Sequence, residues 1–368
     1  MSMLNIRAAI VKEIGAPWEI FDVQLAPPGP DEILIRMVGT GMCHTDIICR
    51  TGFPVPMPIV LGHEGAGVVE SVGKAVTKVK PGDHVVLSFD SCGSCRNCTH
   101  HQPAYCFEFL PRNFGIGRKA DHGSALSLNG EPLTAGFFGQ SSFATHALAR
   151  EINTVVIAKD LPLEIMGPLG CGIQTGAGAV ANSLGLRAGD SLAVFGGGAV
   201  GLSAVLAARA LDAGTIVVVE PTAERRALAL ELGATHAIDP RVTSDVLAEI
   251  KSLCGGVNYA FDTTGIPAVI GVAIETLLPG GVLGMVGAPP PDAMMPASLM
   301  SMLARGVGAK YILEGDSEPQ VFIPKMIDWY RAGKFPFDRL IKKFPFEAIN
   351  EAAHASEIGE AIKPVLIF

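Results

Sequence analysis

The sequence predicts an α/β protein of two domains, a β-rich barrel and a doubly wound parallel sheet, and three observations carry that prediction. At 368 residues the chain is too long for one compact core and long enough for two. Over the first 150 residues, short apolar runs are punctuated by Pro and Gly, as expected of short strands and turns closing a small barrel. From about residue 173 the texture changes to apolar strands alternating with Ala- and Leu-rich helical stretches, the pattern of a parallel sheet covered on both faces.

In order along the chain, Glu32-Ile-Leu-Ile-Arg-Met-Val, Gly67-Val-Val-Glu-Ser-Val and Asp83-His-Val-Val-Leu-Ser read as strands, with Lys80-Pro81-Gly82-Asp83 as a tight turn. Ser191-Leu-Ala-Val-Phe and Ile216-Val-Val-Val-Glu read as parallel strands. Ala223 to Leu232 reads as a helix stopped by Gly233. The stretch from Ser191 to Val219 is apolar enough to suggest a membrane span, but Arg209, Asp212 and the glycines at 196 to 201 interrupt it, so strand, helix and strand are expected instead. A helix around Phe322 to Ala332 and a last strand, Pro364-Val-Leu-Ile-Phe, close the chain, the strand returning to the first domain. The expected domains are therefore 1–172 with 313–368, and 173–312.

Composition narrows the function. Hydrophobic residues make up 49% and charged residues 17%, which excludes disorder, and the 43 Gly and 26 Pro follow no period that would indicate a repeat protein. The formal charge of −8, without a run of Lys or Arg, speaks against a nucleic-acid surface. Met-Ser-Met-Leu-Asn-Ile-Arg at the start lacks the apolar segment of a signal peptide, so a cytoplasmic protein with reduced thiols is expected.

After the strand ending at Phe195 comes Gly196-Gly197-Gly198-Ala199-Val200-Gly201 and then a helix, the order needed to bring a pyrophosphate against backbone amides at a helix start. Gly196, Gly198 and Gly201 supply the turn and the close approach. Glu220, nineteen residues beyond Gly201, stands where a carboxylate accepts both adenosine ribose hydroxyls and repels a 2′-phosphate, which favours NAD over NADP. Arg225 and Arg226 stand close enough to receive a 2′-phosphate instead, and a Glu220 that merely ends a strand in solvent is the plainer alternative.

Cys92, Cys95, Cys98 and Cys106 lie within fifteen residues among Gly, Ser and Asn, where neither core packing nor, in a reducing compartment, disulfides account for them. Four thiolates at this spacing are expected to close around a structural zinc. Cys43, His63 and Cys171 are scattered beside small or polar residues; spacing alone leaves each open between a metal ligand and a small packed residue at a turn. As a trio they would leave a fourth position free, as a catalytic zinc requires. Cys49 and Cys254 read as structural, and His84, His100, His101, His122, His146, His236 and His354 as surface or packed residues.

Together these features resemble the zinc-dependent medium-chain alcohol dehydrogenases over essentially the whole chain. Gly62-His63-Glu64-x-x-Gly67-x5-Gly73-x-x-Val76 is similar to the zinc signature of that family, Cys43-His44-Thr45-Asp46 to its first ligand segment, and Leu169-Gly170-Cys171-Gly172 to its third. The resemblance implies a GroES-like barrel carrying both zinc sites and a Rossmann nucleotide domain. It implies that Cys43, His63 and Cys171 hold catalytic zinc, with Asp46 supporting His63 and Glu64 able to reach the metal. It also sets Thr175 against the nicotinamide and Lys363 on the pyrophosphate.

Within the family, Gly41-Met42-Cys43-His44-Thr45-Asp46, Phe138 to Thr145, Gly167 to Gly178 and Gly333-Lys334-Phe335-Pro336-Phe337-Asp338 look most like the aryl-alcohol (benzyl alcohol) dehydrogenases and the geraniol dehydrogenases. The implied reaction is reversible NAD-linked oxidation of a primary aromatic or allylic alcohol, by hydride transfer from an alkoxide on zinc. The implied assembly is a homodimer or homotetramer, without nucleic acid or membrane. Thr45 would start the proton relay. Where liver-type members continue it with a histidine this chain has Ile48, so His44 is expected to take over, in addition to contacting the phosphate, unless water completes the path. Phe53, Phe89, Phe114, Phe138 and Phe143 are candidate pocket walls. A glutathione-dependent formaldehyde dehydrogenase, which would need cations in the pocket, a family member without catalysis, and a zinc-ribbon nucleic-acid binder are the rival readings.

Overall fold

The computed structural model describes residues 3–114 and 123–368, so His122 lies outside the described residues. The chain gathers into two compact units, Met1–Gly172 with Glu318–Pro324 and Asp338–Phe368, and Ile173–Ser317 with Lys325–Phe337. The sequence expectation kept all of 313–368 with the first unit. Instead the chain changes unit inside a continuous helix, Pro319–Arg331, where neither a loop nor a shift of composition marks the passage. In the second unit Tyr330 and Trp329 pack at a tilt against the fully buried rings of Phe337 and Phe335 respectively.

The first unit holds two sheets. The larger orders its strands Thr154–Ile157, His84–Leu87, Glu64–Val72, Glu32–Gly41, Lys363–Ile367 and Ile341–Pro345, with His146–Arg150 also paired to Glu32–Gly41. Glu32–Gly41 alternates inward Ile33, Ile35 and Met37 with half-buried or exposed neighbours, the period of a sheet packed on one face. Register shifts after Leu34 and Met37 bend this strand, which lets it pair with three partners. The bend has a consequence for the site: Gly41 lies opposite both Glu64 and Val365, so three strand ends meet at one place. The smaller sheet runs Ile59–Val60, Leu4–Val11, Glu19–Leu25, Leu126–Leu128, Glu131–Leu133.

The second unit is built on six parallel strands ordered His236–Ile238, Thr215–Val219, Ser191–Phe195, Val257–Asp262, Leu277–Met285, Gly308–Tyr311. Numbered within the unit this is 3-2-1-4-5-6, the doubly wound order, whose crevice opens where the order reverses beside the first strand. Ser191–Phe195 and Thr215–Val219 are buried along almost their whole length, which explains their unbroken apolar runs. The apolar stretch from Ser191 to Val219 is thus strand, helix Ala199–Ala210 and strand, and among the described residues no helix is long and apolar enough to cross a membrane.

Candidate active site

Cys43 follows the end of strand Glu32–Gly41 and caps helix His44–Thr51, while His63 directly precedes strand Glu64–Val72, which Glu64 opens. Gly62, just before His63, has φ +90°, and a Cβ there would come within 2.4 Å of the Phe143 nitrogen, so only glycine carries the chain into the histidine. Asp46, one turn into the helix and fully buried, joins these pieces. Its Oδ2 accepts from the Cys43 amide at 2.9 Å; its Oδ1 accepts from the Gly62 amide at 3.0 Å and lies 3.0 Å from His63 Nδ1. A carboxylate there assigns the ring proton to Nδ1.

His63 Nε2 is then a bare acceptor. It is buried and has no hydrogen-bond partner among the described residues. The sulphurs of Cys43 and Cys171 and a carboxylate oxygen of Glu64 share its neighbourhood, all four ligand atoms lying within 4.8 Å of one another. An orphaned imidazole nitrogen beside two thiols is a donor set for zinc, with three protein ligands and a fourth place held by an acid or an exchangeable oxygen. Contact with the Cys171 sulphur, against the upward push of burial, and the charges of Lys363 and His63 hold the Cys43 thiol well below its ordinary value. For His63 burial disfavours the charged ring, but Asp46 and Cys43 outweigh it and raise its pKa well above the usual histidine range.

Glu64 is fully buried and is held from behind. Lys363, at the start of the last strand and also buried, donates to its two oxygens at 2.8 and 3.0 Å and to the Met42 carbonyl at 3.2 Å, while the Gly172 amide donates to Oε1 at 2.9 Å. Burial pushes the Glu64 carboxyl upward and Lys363 works against that push. A Cβ on Gly41 would meet Glu64 Oε2 at 1.9 Å, so the strand must be bare for the acid to lie across it.

Cys92, Cys95, Cys98 and Cys106 form a second cluster, their sulphurs also within 4.8 Å of one another. Cys98 lies 3.8 Å from Cys92 and 3.5 Å from Cys95. Four ligands about 2.3 Å from a tetrahedral zinc stand about 3.8 Å apart, so the quartet already has the required edges. Backbone amides of Ser94 and Cys95 donate to the Cys92 sulphur, and those of Cys92 and Glu108 to the Cys106 sulphur. Against the cost of burial, the Ser94 and Cys95 amides lower the Cys92 thiol to about 6, whereas burial and the neighbouring Cys95 raise Cys98 to about 12. The lobe is pinned at its base by Asp90, buried and paired with Arg112 at 3.2 Å and with Arg150.

In the second unit Gly196 to Gly201 turn from strand to helix as expected, and a Cβ on Gly201 would lie 1.9 Å from the Gly196 carbonyl. Glu220 is buried with its carboxylate inside this turn, accepting from the Gly197 amide at 2.6 Å and the Thr222 amide at 2.8 Å. Arg226 is occupied by the Glu220 and Pro221 carbonyls and by Asp239 at 3.0 Å, while the Nε of half-buried Arg225 has no partner among the described residues.

Comparison with known proteins agrees with this geometry. Residues 29–157 match the alcohol dehydrogenase GroES-like domain and residues 199–330 the zinc-binding dehydrogenase family. The chain is 58% identical, over 99% of its length and 98% of the other, to geraniol dehydrogenase of Castellaniella defragrans. It belongs to the zinc-dependent alcohol dehydrogenases. Among solved structures, benzyl alcohol dehydrogenase from Acinetobacter calcoaceticus is 43% identical with a TM-score of 0.96 over 99% of each chain. An alcohol dehydrogenase zinc-binding domain protein from Burkholderia ambifaria is 50% identical with a TM-score of 0.98 over the whole of both chains.

For this alcohol dehydrogenase the structure places the expected residues as follows. Thr45 is half-buried with its hydroxyl 3.7 Å from the Cys43 sulphur, and His44 is exposed at the first position of the helix. Thr175 lies on helix Gly172–Gly178, assigned to the second unit. All three donors of the Lys363 ammonium are engaged by Glu64 and Met42, so a pyrophosphate would have to compete with them. Cys49 is fully buried, its thiol pushed to about 12 by burial and the charges of Asp46 and Cys43, and Cys254 bonds the Ile250 carbonyl at 3.3 Å; neither joins a metal cluster.

Of the candidate pocket phenylalanines, Phe138 stacks on the His63 ring at 4.4 Å, Phe114 packs on Phe138, and Phe53 on Phe114. Phe89 reaches this group through Phe109, whereas Phe143 is core against Trp18. Sequence reasoning missed Phe137, edge-on to His63 at 5.4 Å, and Gln140, whose amide donates to the His63 carbonyl at 2.9 Å and accepts from Gly65. No local signal distinguishes either from ordinary loop residues.

Proposed function

We propose that this chain oxidises primary aromatic or allylic alcohols of the benzyl alcohol or geraniol type to aldehydes, reversibly, with NAD. The observation that carries the substrate class is the group of rings, Phe53, Phe114 and Phe137, linked to the histidine that bears the open nitrogen. An apolar wall there rewards an alcohol whose own carbon skeleton is flat and unsaturated. The names of the relatives at 58% and 43% identity support the same class.

When bound, zinc supplies a Lewis acid that makes an alcohol oxygen acidic and NAD supplies the hydride acceptor. The chain does the rest. Cys43, His63 and Cys171 would hold the metal, and Asp46 keeps His63 in the one tautomer that can. Thr45 takes the alcohol proton and His44, exposed beside it, delivers it to solvent, since Ile48 stands where a second relay group would be. Glu220, a buried carboxylate inside the glycine turn, accepts ribose hydroxyls and excludes a 2′-phosphate, with Arg226 already held by Asp239.

The reading includes a cytoplasmic setting, in keeping with eight cysteines of which none is in a disulfide, and a homodimer or homotetramer. For the latter, Met294, Leu299, Met300 and Leu303 are more than two-thirds exposed near edge strand Gly308–Tyr311, a surface that a second copy would cover.

Initial rates of NAD⁺ reduction at equal concentrations of ethanol, benzyl alcohol and geraniol test the proposal. Strong activity on either bulky alcohol with little on ethanol is expected, and their ratio chooses between ring and terpene. Silence on all three with zinc bound would overturn it.

A further inference from the structure

Phe138 has φ +50° and ψ +33°, the left-handed region that a side chain bearing a Cβ seldom occupies and an aromatic one least of all. A glycine would adopt this conformation freely, and glycines stand at 136 and 139 on either side. The ring is therefore kept against the preference of its own backbone. It is 3% exposed and its face lies on His63, centroids 4.4 Å apart and planes 25° from parallel.

The surrounding loop holds the strain in place by being stitched to the histidine segment. Ser141 Oγ accepts from the Gly136 and Phe137 amides and donates to the Val60 carbonyl. Gln140 bridges the His63 carbonyl, the Gly65 amide and the Ser88 carbonyl. The Ser142 and Phe143 amides donate to Gly62 and Leu61, and Asn153 donates to the Phe138 and Gly139 carbonyls.

We propose that Phe138 is a positioning residue for the metal ligand His63, rather than a wall of the alcohol pocket. Asp46 fixes the imidazole through Nδ1, within the plane of the ring, and leaves the ring free to tip about that bond. A flat face stacked on the imidazole removes the tipping motion, so that Nε2 stays within reach of the Cys43 and Cys171 sulphurs. Phe137, edge-on to the same ring, has an ordinary backbone and no such constraint.

The inference rests on the reading that this site holds zinc, so metal analysis of the unsubstituted enzyme comes first; a chain lacking the second zinc equivalent fails that reading before any variant is made. On zinc-loaded protein, Phe138→Leu is then compared with Phe109→Leu, which loses a ring from the same cluster without touching His63. The expected result for Phe138→Leu is release of the catalytic zinc to a chelator about tenfold faster, the scale of a lost supporting contact, together with shifted visible bands when cobalt replaces that zinc. Turnover falls while KM barely moves. Phe109→Leu leaves the cobalt bands in place. Phe138→Met is carried in parallel in case the leucine variant does not fold, and Phe138→Tyr, which keeps the face, must leave the bands unmoved. A folded leucine or methionine variant with the parent's cobalt spectrum and a raised KM alone would make Phe138 a pocket wall and overturn the inference. Equal band shifts in Phe109→Leu, or a shift in Phe138→Tyr, would overturn it as well.

Discussion

Replacing Asp46 by Asn changes one atom and removes one charge at the point where two zinc-ligand segments meet. Three N–H groups, of Cys43, Gly62 and His63, converge on its two oxygens, and the side chain is fully buried. An amide offers only one oxygen. Its least costly orientation keeps that oxygen on Gly62 and His63 and turns the NH₂ toward the Cys43 amide, losing one hydrogen bond to a charged acceptor and setting two donors face to face. A buried bond of this kind contributes roughly 1.5 to 3 kcal/mol, so an unfolding loss of about 2 kcal/mol is expected. The loss falls on the metal too. With a neutral partner the imidazole is a weaker base, and removal of such a partner lowers zinc affinity about 10- to 100-fold, which at 1.4 kcal/mol per decade is about 1.4 to 2.8 kcal/mol. Competition with a zinc chelator measures the effect, and the cysteine quartet is an internal standard because Asp46 touches none of it. One zinc equivalent is expected to leave early and the other at the parent's concentration of chelator. If Asp46→Asn holds both equivalents within twofold of the parent, the carboxylate does not set the histidine and the argument fails.

Two further outcomes are expected from the same neighbourhood. His44→Gln should lower turnover severalfold and change its pH profile, since the exposed imidazole is the group proposed to deliver the proton from Thr45 to solvent; an unchanged rate and profile would remove His44 from the relay. Lys363→Met strands a buried Glu64 carboxylate and should cost about 3 to 5 kcal/mol in denaturant unfolding, whereas Glu64→Gln combined with Lys363→Met should recover most of it; a double variant as unstable as the lysine variant alone would show that the pair's charges are not coupled.

The parts of this enzyme legible in the sequence are those whose physics is local. Two C-x-x-C steps bring three thiols to one turn by spacing alone, and glycines between an apolar strand and a helix announce a phosphate turn. Glu220 was readable as an acid at a strand end, but not that its carboxylate folds back onto the Gly197 amide. What the sequence hid is non-local or conformational. Lys363 and Glu64 are separated by 299 positions and meet only because their strands both flank Glu32–Gly41. Phe138 has no signature at all, because a left-handed aromatic residue contradicts the local preference by which turns are recognised. The compact units differ from the expected division at 313–317 and at Lys325–Phe337, the latter because the change of unit falls inside a helix.

The ionisable groups around the catalytic ligands carry an excess of one sign. Counted as ionised, Cys43, Cys171, Asp46 and Glu64 give four negative charges and Lys363 one positive, a net of three negative in a region where most of these groups are buried. Interiors do not tolerate such an excess, and protons are drawn in to relieve it. A dication on the open Nε2 would cut the excess to one, without moving any residue that Asp46, Gln140 and Lys363 already hold. The donor set and its excess negative charge therefore suit a divalent ion, and the single Lys363 sets the size of that excess. A site with a second lysine would protonate less and bind zinc less tightly, whereas a site with none would expose an unpaired Glu64 to the metal as a fourth permanent ligand and close the position the alcohol needs.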